Sequence, residues 1–486
     1  MYYIDKTKYI EILEQKDRYQ FFIRPRRFGK SLFLTMMQTY YDLNEKDNFD
    51  KYFADLYIGN NKTKQANSYI ILKMSFANVI TNQGKDEIIK SIDNIVSSEV
   101  NKCLRSYTDI YNGIVLPKDY YKAPFALKYL IDETILRKKK LLLLIDEYDN
   151  FANNIMVRDK TLYEEVVHGD GYIKTLYKGI KEGTADGVIS RIFITGVSPI
   201  MLDDITSGAN IFTIYANDRD LNCMLGINDA ELEEIVDYYQ LGEIVDRDEL
   251  MDLLKGYCDG YKFNEEIEET VYNTDMVLYI VKNLIQNKAY PKKLIDDNVK
   301  TDYTKLRKIA ENFISREEMM AIIEKEKTKP LEIKDRFNLE SMYKGDERTV
   351  NLRSLLYYMG MLTIDQVDAN AVVLKIPNYA IKALYWDYMN KAYEVEVSAS
   401  YDELKSAMKK MRTEADIEDV MNIYTKVVNR MSNRDLLHFN EASCKSIFIT
   451  LIHTDGIYLI ESEKECNGGY SDLYIKENVL YKEAIN

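Results

Sequence analysis

The stretch Arg24–Ser31 places a glycine, a lysine and a hydroxyl residue side by side between two regular elements. It reads RPRRFGKS, follows an apolar run at Tyr19–Ile23, and precedes a helix-forming run rich in Leu, Met and Tyr. The backbone N–H groups at such a helix start are typical of phosphate binding. We expect Lys30 to reach the β- and γ-phosphates of ATP and the Ser31 hydroxyl to bind Mg²⁺. The residues expected to surround the nucleotide are Arg26, Arg27, Phe28, Gly29, Lys30, Ser31 and Leu32.

A second stretch, far along the chain, carries two neighbouring carboxylates. The run Leu141–Ile145 is fully apolar and is followed directly by Asp146 and Glu147. A buried parallel strand explains the leucines, but it does not explain two acids at its end. Asp146 fits the carboxylate on the magnesium side of a nucleotide, and Glu147 fits the base that polarises an attacking water.

Each stretch also has a simpler interpretation. The usual phosphate-loop pattern has a glycine five residues before Gly29, where this chain has Arg24, so the first motif is a half-match. That segment alone would also suit a basic strand-to-helix turn, and the second would suit a core strand capped by solvated acids. Because both occur in the right order, each after an apolar strand, together they favour the nucleotide site.

Composition narrows the class of protein. With 486 residues, the chain is too long for one core, and two to four domains are expected. A net charge of −14 argues against broad non-specific binding to nucleic acid. Five scattered cysteines and three histidines show neither a disulfide framework nor metal-like spacing, and no apolar run has the length of a membrane span. A cytoplasmic protein with no membrane partner is therefore predicted.

Alternating strand and helix signals up to residue 215 predict an α/β fold: a P-loop NTPase core with a doubly wound parallel sheet. The predicted strands are Tyr19–Ile23, Tyr69–Ser75, Lys140–Ile145, Arg191–Thr195 and Ile211–Ile214. The predicted helices include Lys30–Asp42, Lys85–Arg105, Phe125–Leu136 and Thr161–Lys181. We expect the fourth strand to lie beside the first, so that Thr195 or Ser198 would orient the attacking water. A strand that ends in a Gly-Pro turn explains either residue equally well.

The remaining chain changes in character. Residues 216–300 are predicted to form a helical lid, with helices at Ala230–Tyr239, Arg247–Tyr257 and Met276–Asn287. Arg219 in this region is a candidate γ-phosphate sensor, although its two acidic neighbours favour a structural salt bridge. Residues 301–395 are predicted to be a helical, winged-helix-like linker domain. Its hairpin strands are Met361–Ile364 and Ala371–Ile376, with Asp365–Asn370 as the turn.

Several blocks resemble the bacterial AAA-ATPase-like family, whose members are commonly fused to a C-terminal domain of the PD-(D/E)xK nuclease superfamily. The block Tyr2–Thr7 and the RPRRFGKS string are similar to the opening of that family. Further similar blocks, in the same order, are Asp146–Asp149, Thr195–Pro199, Gly256–Phe263 and Leu355–Gly360. The resemblance implies that Arg24 is a family trait and that Arg26 and Arg27 take over part of the phosphate cradle.

The resemblance also implies a partial nuclease-like domain at residues 396–486. Glu441 and Asp472 match the first two acidic positions of the family's nuclease site, where they would be metal ligands. The Glu-x-Lys strand that would follow is absent before Asn486, and the short segment that family members usually carry before the Tyr2–Thr7 block is also missing. The sequence therefore looks trimmed at both ends. A working nuclease is therefore not expected of this chain, and nucleic acid is a candidate partner only through the family's domain pairing.

Three functions compete at this point. The first is a Mg-dependent ATPase, or ATP-gated switch, coupled to a nuclease-fold domain. The second is a nucleotide-binding regulatory or scaffold protein with little or no hydrolysis. The third is a phosphotransferase with a small substrate, which Glu147 beside Asp146 disfavours because that pair suits water as the acceptor. No oligomeric state is predicted.

Overall fold

In a computed structural model of the chain, the described residues are 2–168, 171–202, 205, 210–301, 313, 318, 322, 327–328, 332–343, 347–368, 371–394, 401–430, 441–453, 458–466 and 469–477. Of the two C-terminal strands that the sequence predicts, Gly456–Ile460 lies only partly within these ranges, whereas Ser471–Ile475 lies wholly within them.

A five-stranded parallel sheet forms the N-terminal core, which confirms the predicted α/β fold. Its strands are β1 (Tyr19–Ile23), β2 (Ile70–Ser75), β3 (Leu141–Asp146), β4 (Ile189–Gly196) and β5 (Thr213–Ile214). Their order in space is β2-β3-β4-β1-β5, so β4 lies beside β1 as expected. Every residue of β3 is buried, which explains its leucine run, because a central parallel strand has helices over both faces.

Ten helices of the described chain accompany this sheet. They are α1 (Lys8–Gln15), α2 (Lys30–Tyr41), α3 (Phe49–Phe53), α4 (Tyr57–Asn60), α5 (Lys85–Ser106), α6 (Thr108–Tyr111), α7 (Ala123–Leu136), α8 (Asn150–Arg158), α9 (Lys160–Val166) and α10 (Tyr172–Ala185). The prediction of one helix over Thr161–Lys181 is wrong, because α9 ends at Val166 and α10 begins at Tyr172. The intervening sequence contains glycines at 169 and 171, and glycine disfavours a continuous helix.

Three helices follow the sheet: α11 (Asp229–Tyr238), α12 (Arg247–Cys258) and α13 (Thr274–Asn287). The start of α11 has a capping box, in which the Asn228 side chain accepts from the Glu231 N–H and the Glu231 carboxylate accepts from the Asn228 N–H. The start of α13 is capped by Asn273, whose own backbone N–H donates to the carbonyl of Cys258 at the end of α12 (2.8 Å). This bond ties the end of one helix to the start of the next.

A small antiparallel sheet and α14 (Arg348–Tyr358) come next. The sheet has the order β6-β8-β7, with β6 (Lys327–Thr328), β7 (Thr363–Asp368) and β8 (Ala371–Lys375). The hairpin prediction is right, but the turn was placed too early, because Asp365–Asp368 belong to β7. The pairing of β7 with β8 shifts register between Ile364 and Gln366, so Asp365 occupies a β-bulge that breaks the expected alternation.

The C-terminal part is helical and ends in a hairpin. Its helices are α15 (Tyr379–Glu394), α16 (Tyr401–Glu414), α17 (Glu418–Arg430) and α18 (Glu441–His453), and its antiparallel strands are β9 (Tyr458–Cys466) and β10 (Gly469–Glu477). Buried apolar side chains from Tyr9 to Ile460 form one cluster. Within the described ranges, no helix combines the length and apolar character needed to cross a membrane.

Candidate nucleotide site

The loop between β1 and α2 adopts a backbone conformation that glycine accommodates best. Gly29 has φ +93°, in the left-handed region, and α2 begins at the next residue. Arg27 also has a positive φ, of 69°, which is unusual for a residue with a side chain. The turn that a glycine normally provides earlier in such loops is therefore made within residues 27–29.

The Lys30 ammonium is folded back onto this loop. Its Nζ donates to the carbonyl oxygens of Arg24 (3.0 Å) and Pro25 (2.6 Å), and its side chain is buried. Burial lowers the pKa of Lys30 to about 8, and the nearby carboxylate of Asp146 opposes that shift. A lysine ammonium has three donors, so these two carbonyls leave one for another acceptor.

Ser31 and Asp146 meet although 115 positions separate them in the sequence. The Ser31 hydroxyl donates to one carboxylate oxygen of Asp146 at 2.5 Å. The other carboxylate oxygen accepts from the backbone N–H of Glu147 at 3.0 Å. The two predicted magnesium ligands of the N-terminal core thus lie side by side.

Glu147 follows β3 with its backbone in the left-handed region, at φ 49°. Its side chain is half-buried, and burial, followed by the neighbouring Asp146 carboxylate, raises the pKa of Glu147. A carboxylate with a raised pKa is a better proton acceptor at neutral pH than an ordinary surface glutamate.

A cavity of about 650 Å³ brings most of these side chains together. The loop and the end of β3 face it with Arg26, Arg27, Gly29, Lys30, Ser31, Leu32 and Glu147. Thr274, Asp275 and Leu278, from the first turns of α13, also line it. Its volume lies within the range of small-molecule and cofactor pockets.

Of the loop residues predicted to surround the nucleotide, Phe28 is the one that does not line the cavity. Its ring is buried and packs edge-on against Tyr261 (4.9 Å between centroids) and Phe263 (5.5 Å). The Phe28 carbonyl accepts from the Gly226 N–H at 3.2 Å. Phe28 therefore anchors the loop to the following helical part of the chain and does not line the cavity.

Thr195 and Ser198 are both buried, and each hydroxyl is hydrogen-bonded to a backbone group, Thr195 within the sheet and Ser198 in the turn that follows β4. The Thr195 hydroxyl donates to the carbonyl of Phe22 at 2.8 Å, across the β1–β4 pair. The Ser198 Oγ accepts from the Ile200 N–H at 3.3 Å. Neither hydroxyl lines the cavity, whereas Val197 between them does.

Asp149 also lines this cavity, although the sequence suggests it only as an alternative to Glu147 for the base. This fully buried carboxylate accepts from the backbone N–H groups of Val197 (3.2 Å) and Ser198 (2.6 Å) and from the amide of Asn153 (2.7 Å). Burial raises the pKa of Asp149, and these hydrogen bonds oppose the rise. Gly196 permits the approach, because a Cβ there would lie 2.3 Å from the carboxylate. The signal was a third acid, three positions after Asp146.

Arg24 does not face the phosphate cavity. Its guanidinium is buried, donates to the carbonyls of Ile23 (2.9 Å), Ala216 (2.5 Å) and Leu221 (2.9 Å), and lies over the rings of Phe22 and Phe263 at 4.3 and 4.2 Å. Desolvation lowers the pKa of Arg24 to about 10. The residue that replaces the usual glycine is thus a structural link to residues 216–221.

The other arginines differ in position. Arg26 donates to the side-chain oxygen of Asn150 at 3.1 Å, and Arg27 forms an ion pair with Asp275 of α13 at 2.5 Å. Both line the cavity. Arg219 does not line the cavity and instead lies 3.7 Å from Glu266, with both side chains mostly exposed. Its two acidic neighbours pair with Lys16.

The predicted C-terminal acids are described only in part. Glu441 is the first residue of α18, but its side chain lies outside the described residues. Asp472 is exposed on β10. Within the described ranges, no group of three or more His, Cys, Asp or Glu side chains is arranged to hold a metal ion.

Three solved structures are similar to this chain at low identity. They are the ORC2 protein of Aeropyrum pernix in ADPNP–ADP complexes (TM-score 0.38, 11% identity), Cdc6p of Pyrobaculum aerophilum (0.30, 10%) and Drosophila ORC bound to AT-rich DNA and Cdc6 (0.21, 10%). They cover 80%, 80% and 79% of this chain, and the matches include 93%, 93% and 90% of the respective structures.

Two sequence comparisons also match. An uncharacterized protein from the vnfD 5′ region of Azotobacter chroococcum mcd 1 is 25% identical over 283 residues, which are 58% of this chain. The chain spans about half the length of that relative, 48%. Residues 1–206, which contain both the Arg24–Ser31 loop and Asp146–Asp149, match the family model described as a predicted AAA-ATPase.

Proposed function

We propose that this chain binds Mg·ATP in the 650 Å³ cavity and hydrolyses the γ-phosphate with water. The observation that carries this proposal is the 2.5 Å contact between the Ser31 hydroxyl and the Asp146 carboxylate. It joins the end of the glycine-lysine-serine loop to the end of the acidic strand, as a magnesium-nucleotide site requires. The match of residues 1–206 to a predicted AAA-ATPase supports the same function.

Each side chain then has a defined task. Two of the three Lys30 donors bind loop carbonyls, and the third is available to a phosphate oxygen. Arg26 and Arg27 add positive charge to the lining of the same cavity. Ser31 and Asp146 would hold Mg²⁺, which neutralises charge developing on the phosphates. Glu147 accepts a proton from the attacking water.

The test combines two substitutions with different expected effects. Lys30→Ala removes the buried charge, and ATP affinity should fall at least about tenfold, because hydrogen bonds to charged groups are the strong ones. Glu147→Gln should retain ATP and slow its hydrolysis by about 10²–10⁴-fold. Nucleotide titration measures the first effect, and phosphate release measures the second.

Matched controls come from exposed residues of the same core. Lys128→Ala and Glu164→Gln remove a charge of the same sign from half-exposed helix positions that pair within their own helices. Both should leave binding and turnover unchanged. ATP affinity that is unaffected by Lys30→Ala would refute the site, and unchanged turnover in Glu147→Gln would refute the assignment of the base.

One observation favours the second function, nucleotide binding with little hydrolysis. The hydroxyls of Thr195 and Ser198 are both hydrogen-bonded to backbone groups and do not line the cavity, so neither residue expected to orient the attacking water presents its side chain there. A protein of this kind would bind ATP with Lys30-dependent affinity but show no turnover above that of Glu147→Gln.

We also propose that residues 396–486 belong to a nuclease-like α/β unit with an incomplete metal site. Support comes from the position of Asp472 on β10, directly after the Gly-Tyr-Ser sequence that opens the strand. Plasmid DNA incubated with this chain and Mg²⁺ or Mn²⁺ should stay uncut. Cleavage that disappears in Asp472→Ala would show that the site is complete and overturn this part of the proposal.

A further inference from the structure

A second cavity, of about 770 Å³, lies where α12, the β6-β8-β7 sheet and the C-terminal hairpin meet. Its walls come from α12, from the ends of β6 and β8 with the start of α15, and from β9 and β10. It shares no lining residue with the nucleotide cavity. Neither the phosphate loop nor the Asp146–Asp149 segment contributes to it, so the proposed ATPase leaves this cavity unexplained.

Two lysines face each other at its edge. Lys327 on β6 is the direct cross-strand partner of Lys375 on β8, and both line the cavity. Like charges in directly opposite positions of an antiparallel pair destabilise a sheet. A pair of this kind beside a cavity needs a compensating feature, and the sheet supplies one.

Asp365 provides that compensation from the β-bulge of β7. Its two carboxylate oxygens lie 2.8 Å from the Lys327 ammonium and 2.9 Å from the Lys375 ammonium. Burial alone would raise the pKa of Asp365, but the hydrogen bonds from the two lysines outweigh it and hold that pKa below its usual range. Bulges commonly redirect one side chain beside a functional site.

The charge of this cluster is not balanced. One carboxylate neutralises one of the two ammonium groups, so the Lys327–Asp365–Lys375 cluster keeps a net positive charge. Lys382 of α15 and Lys476 of β10 add further ammonium groups to the lining. Because the whole chain has a net charge of −14, such a concentration of lysines is a local feature and not a property of the surface in general.

The other walls differ in chemistry. The first two turns of α12 present the carboxylates of Asp248, Glu249 and Asp252. Apolar atoms of Leu253 and Ile460 also line the cavity, both from buried side chains. A long polyanion would also reach the three carboxylates, which would repel it. A compact ligand can instead place its anionic group on the lysines alone.

We propose that this cavity is a second ligand site that binds a compact phosphate ester of nucleotide size. Its phosphates contact Lys327, Lys375 and the adjoining lysines, its hydroxyl or amino groups donate to the carboxylates of α12, and its ring packs on the apolar wall. Pockets of this volume with an apolar lining and a few charged groups are typical of small-molecule sites.

The experiment uses ADP without magnesium as the probe, in the full chain carrying Lys30→Ala to weaken nucleotide binding at the phosphate loop. Calorimetry should detect saturable binding in this background. Adding Lys375→Gln should weaken ADP binding at least about tenfold, because it removes one charged hydrogen bond to phosphate. Adding Lys293→Gln instead, at an exposed lysine that pairs with Asp297 in its own segment, should change nothing.

A second variant separates ligand binding from a purely structural cluster. Asp365→Asn removes the carboxylate but keeps its shape, so the lysines are left uncompensated. The free protein should unfold at a lower temperature, while ADP should bind more tightly and raise that temperature more than it does in the Lys30→Ala parent. Opposite effects of Lys375→Gln and Asp365→Asn on ADP affinity support the site. Absence of saturable binding at millimolar ADP, or affinity that neither variant changes, overturns it.

Discussion

The Lys30 ammonium lies among backbone carbonyls and carboxylates, and this environment determines how ATP binding should respond to pH. Burial lowers the pKa of Lys30 to about 8 in the free protein, against an ordinary value near 10.4. A triphosphate favours the charged form, so binding raises that pKa again. ATP affinity should therefore be flat below pH 8 and fall above it, by up to about tenfold per pH unit.

The accompanying proton uptake makes this effect measurable. Calorimetric titration with ATP at pH 7 and pH 9, each in two buffers of different ionisation enthalpy, should show uptake approaching one proton only at pH 9. Lys30→Arg is the matched variant, because arginine remains charged at both pH values, and any binding it retains should occur without uptake. Equal affinity of the wild type at pH 7 and pH 9 would contradict the buried lysine.

For individual residues, the local sequence predicts some contacts of the site and misses others, and the difference has a physical reason. The Ser31–Asp146 contact was predictable because parallel strands end at the same edge of a sheet, so motifs that follow two strands meet there. The roles of Arg24 and Asp149 depend on backbone groups of residues that are 48 to 197 positions away in the sequence. When a side chain hydrogen-bonds to backbone groups that are distant in the sequence, the residues around it show no pattern that would predict the contact.

Among the elements, α13 contacts the phosphate loop directly. Its first residues reach the loop backbone, since the Asp275 N–H donates to the Arg27 carbonyl (3.3 Å) and the Asn273 amide donates to the Arg26 carbonyl (3.4 Å). The Asp275 carboxylate pairs with the Arg27 guanidinium. The N-terminal turn of α13 therefore places one negative charge in a cavity proposed for phosphates.

Asp275→Asn should strengthen ATP binding. The substitution removes the repulsion between carboxylate and phosphate and leaves the Arg27 guanidinium without its carboxylate competitor. Both side chains are partly exposed, so the gain should be modest, about fivefold or less. ATP titrations at low and high salt should show the gain shrinking as salt rises. Weaker binding in Asp275→Asn would mean that the ion pair shapes the loop for ATP.

The elements themselves were largely predictable. All five strands of the parallel sheet are present, because apolar runs bounded by polar residues mark buried strands clearly. The helix break between α9 and α10 was missed because amphipathic spacing continues on both sides of it. The sequence misplaces the turn of the β7–β8 hairpin because the β-bulge at Asp365 interrupts the alternation of apolar residues, as a turn also does.

Across the whole molecule, the entry to the phosphate loop is a meeting point for distant parts of the chain. The buried Arg24 guanidinium joins β1 to the carbonyls of Ala216 and Leu221 and lies over the ring of Phe263. The next residue, Pro25, approaches Gly360 so closely that a Cβ at that glycine would lie 2.8 Å from its ring. A movement of the loop on nucleotide binding would therefore change the contacts of Gly360, more than 300 positions away in the sequence.

Arg24→Met tests whether this junction stabilises the molecule or contacts phosphate. Methionine keeps part of the apolar stem but leaves the carbonyls of Ala216 and Leu221 without their donor. Unsatisfied buried acceptors each cost about 1–3 kcal/mol, so we expect the free energy of unfolding to fall by about 3 kcal/mol. The urea midpoint should fall accordingly, and Arg219→Met, at an exposed arginine, should shift it little.

ATP affinity separates the two roles of Arg24. Because its guanidinium does not line the nucleotide cavity, Arg24→Met should bind ATP within about twofold of wild type at a temperature where both are folded. Nucleotide titration at low temperature, on protein whose helical circular dichroism matches wild type, measures this. An unchanged urea midpoint together with lost ATP binding would place Arg24 on the phosphates and make it part of the site. The opposite pattern, reduced stability with retained binding, is what a buried cation shared by three backbone carbonyls should produce.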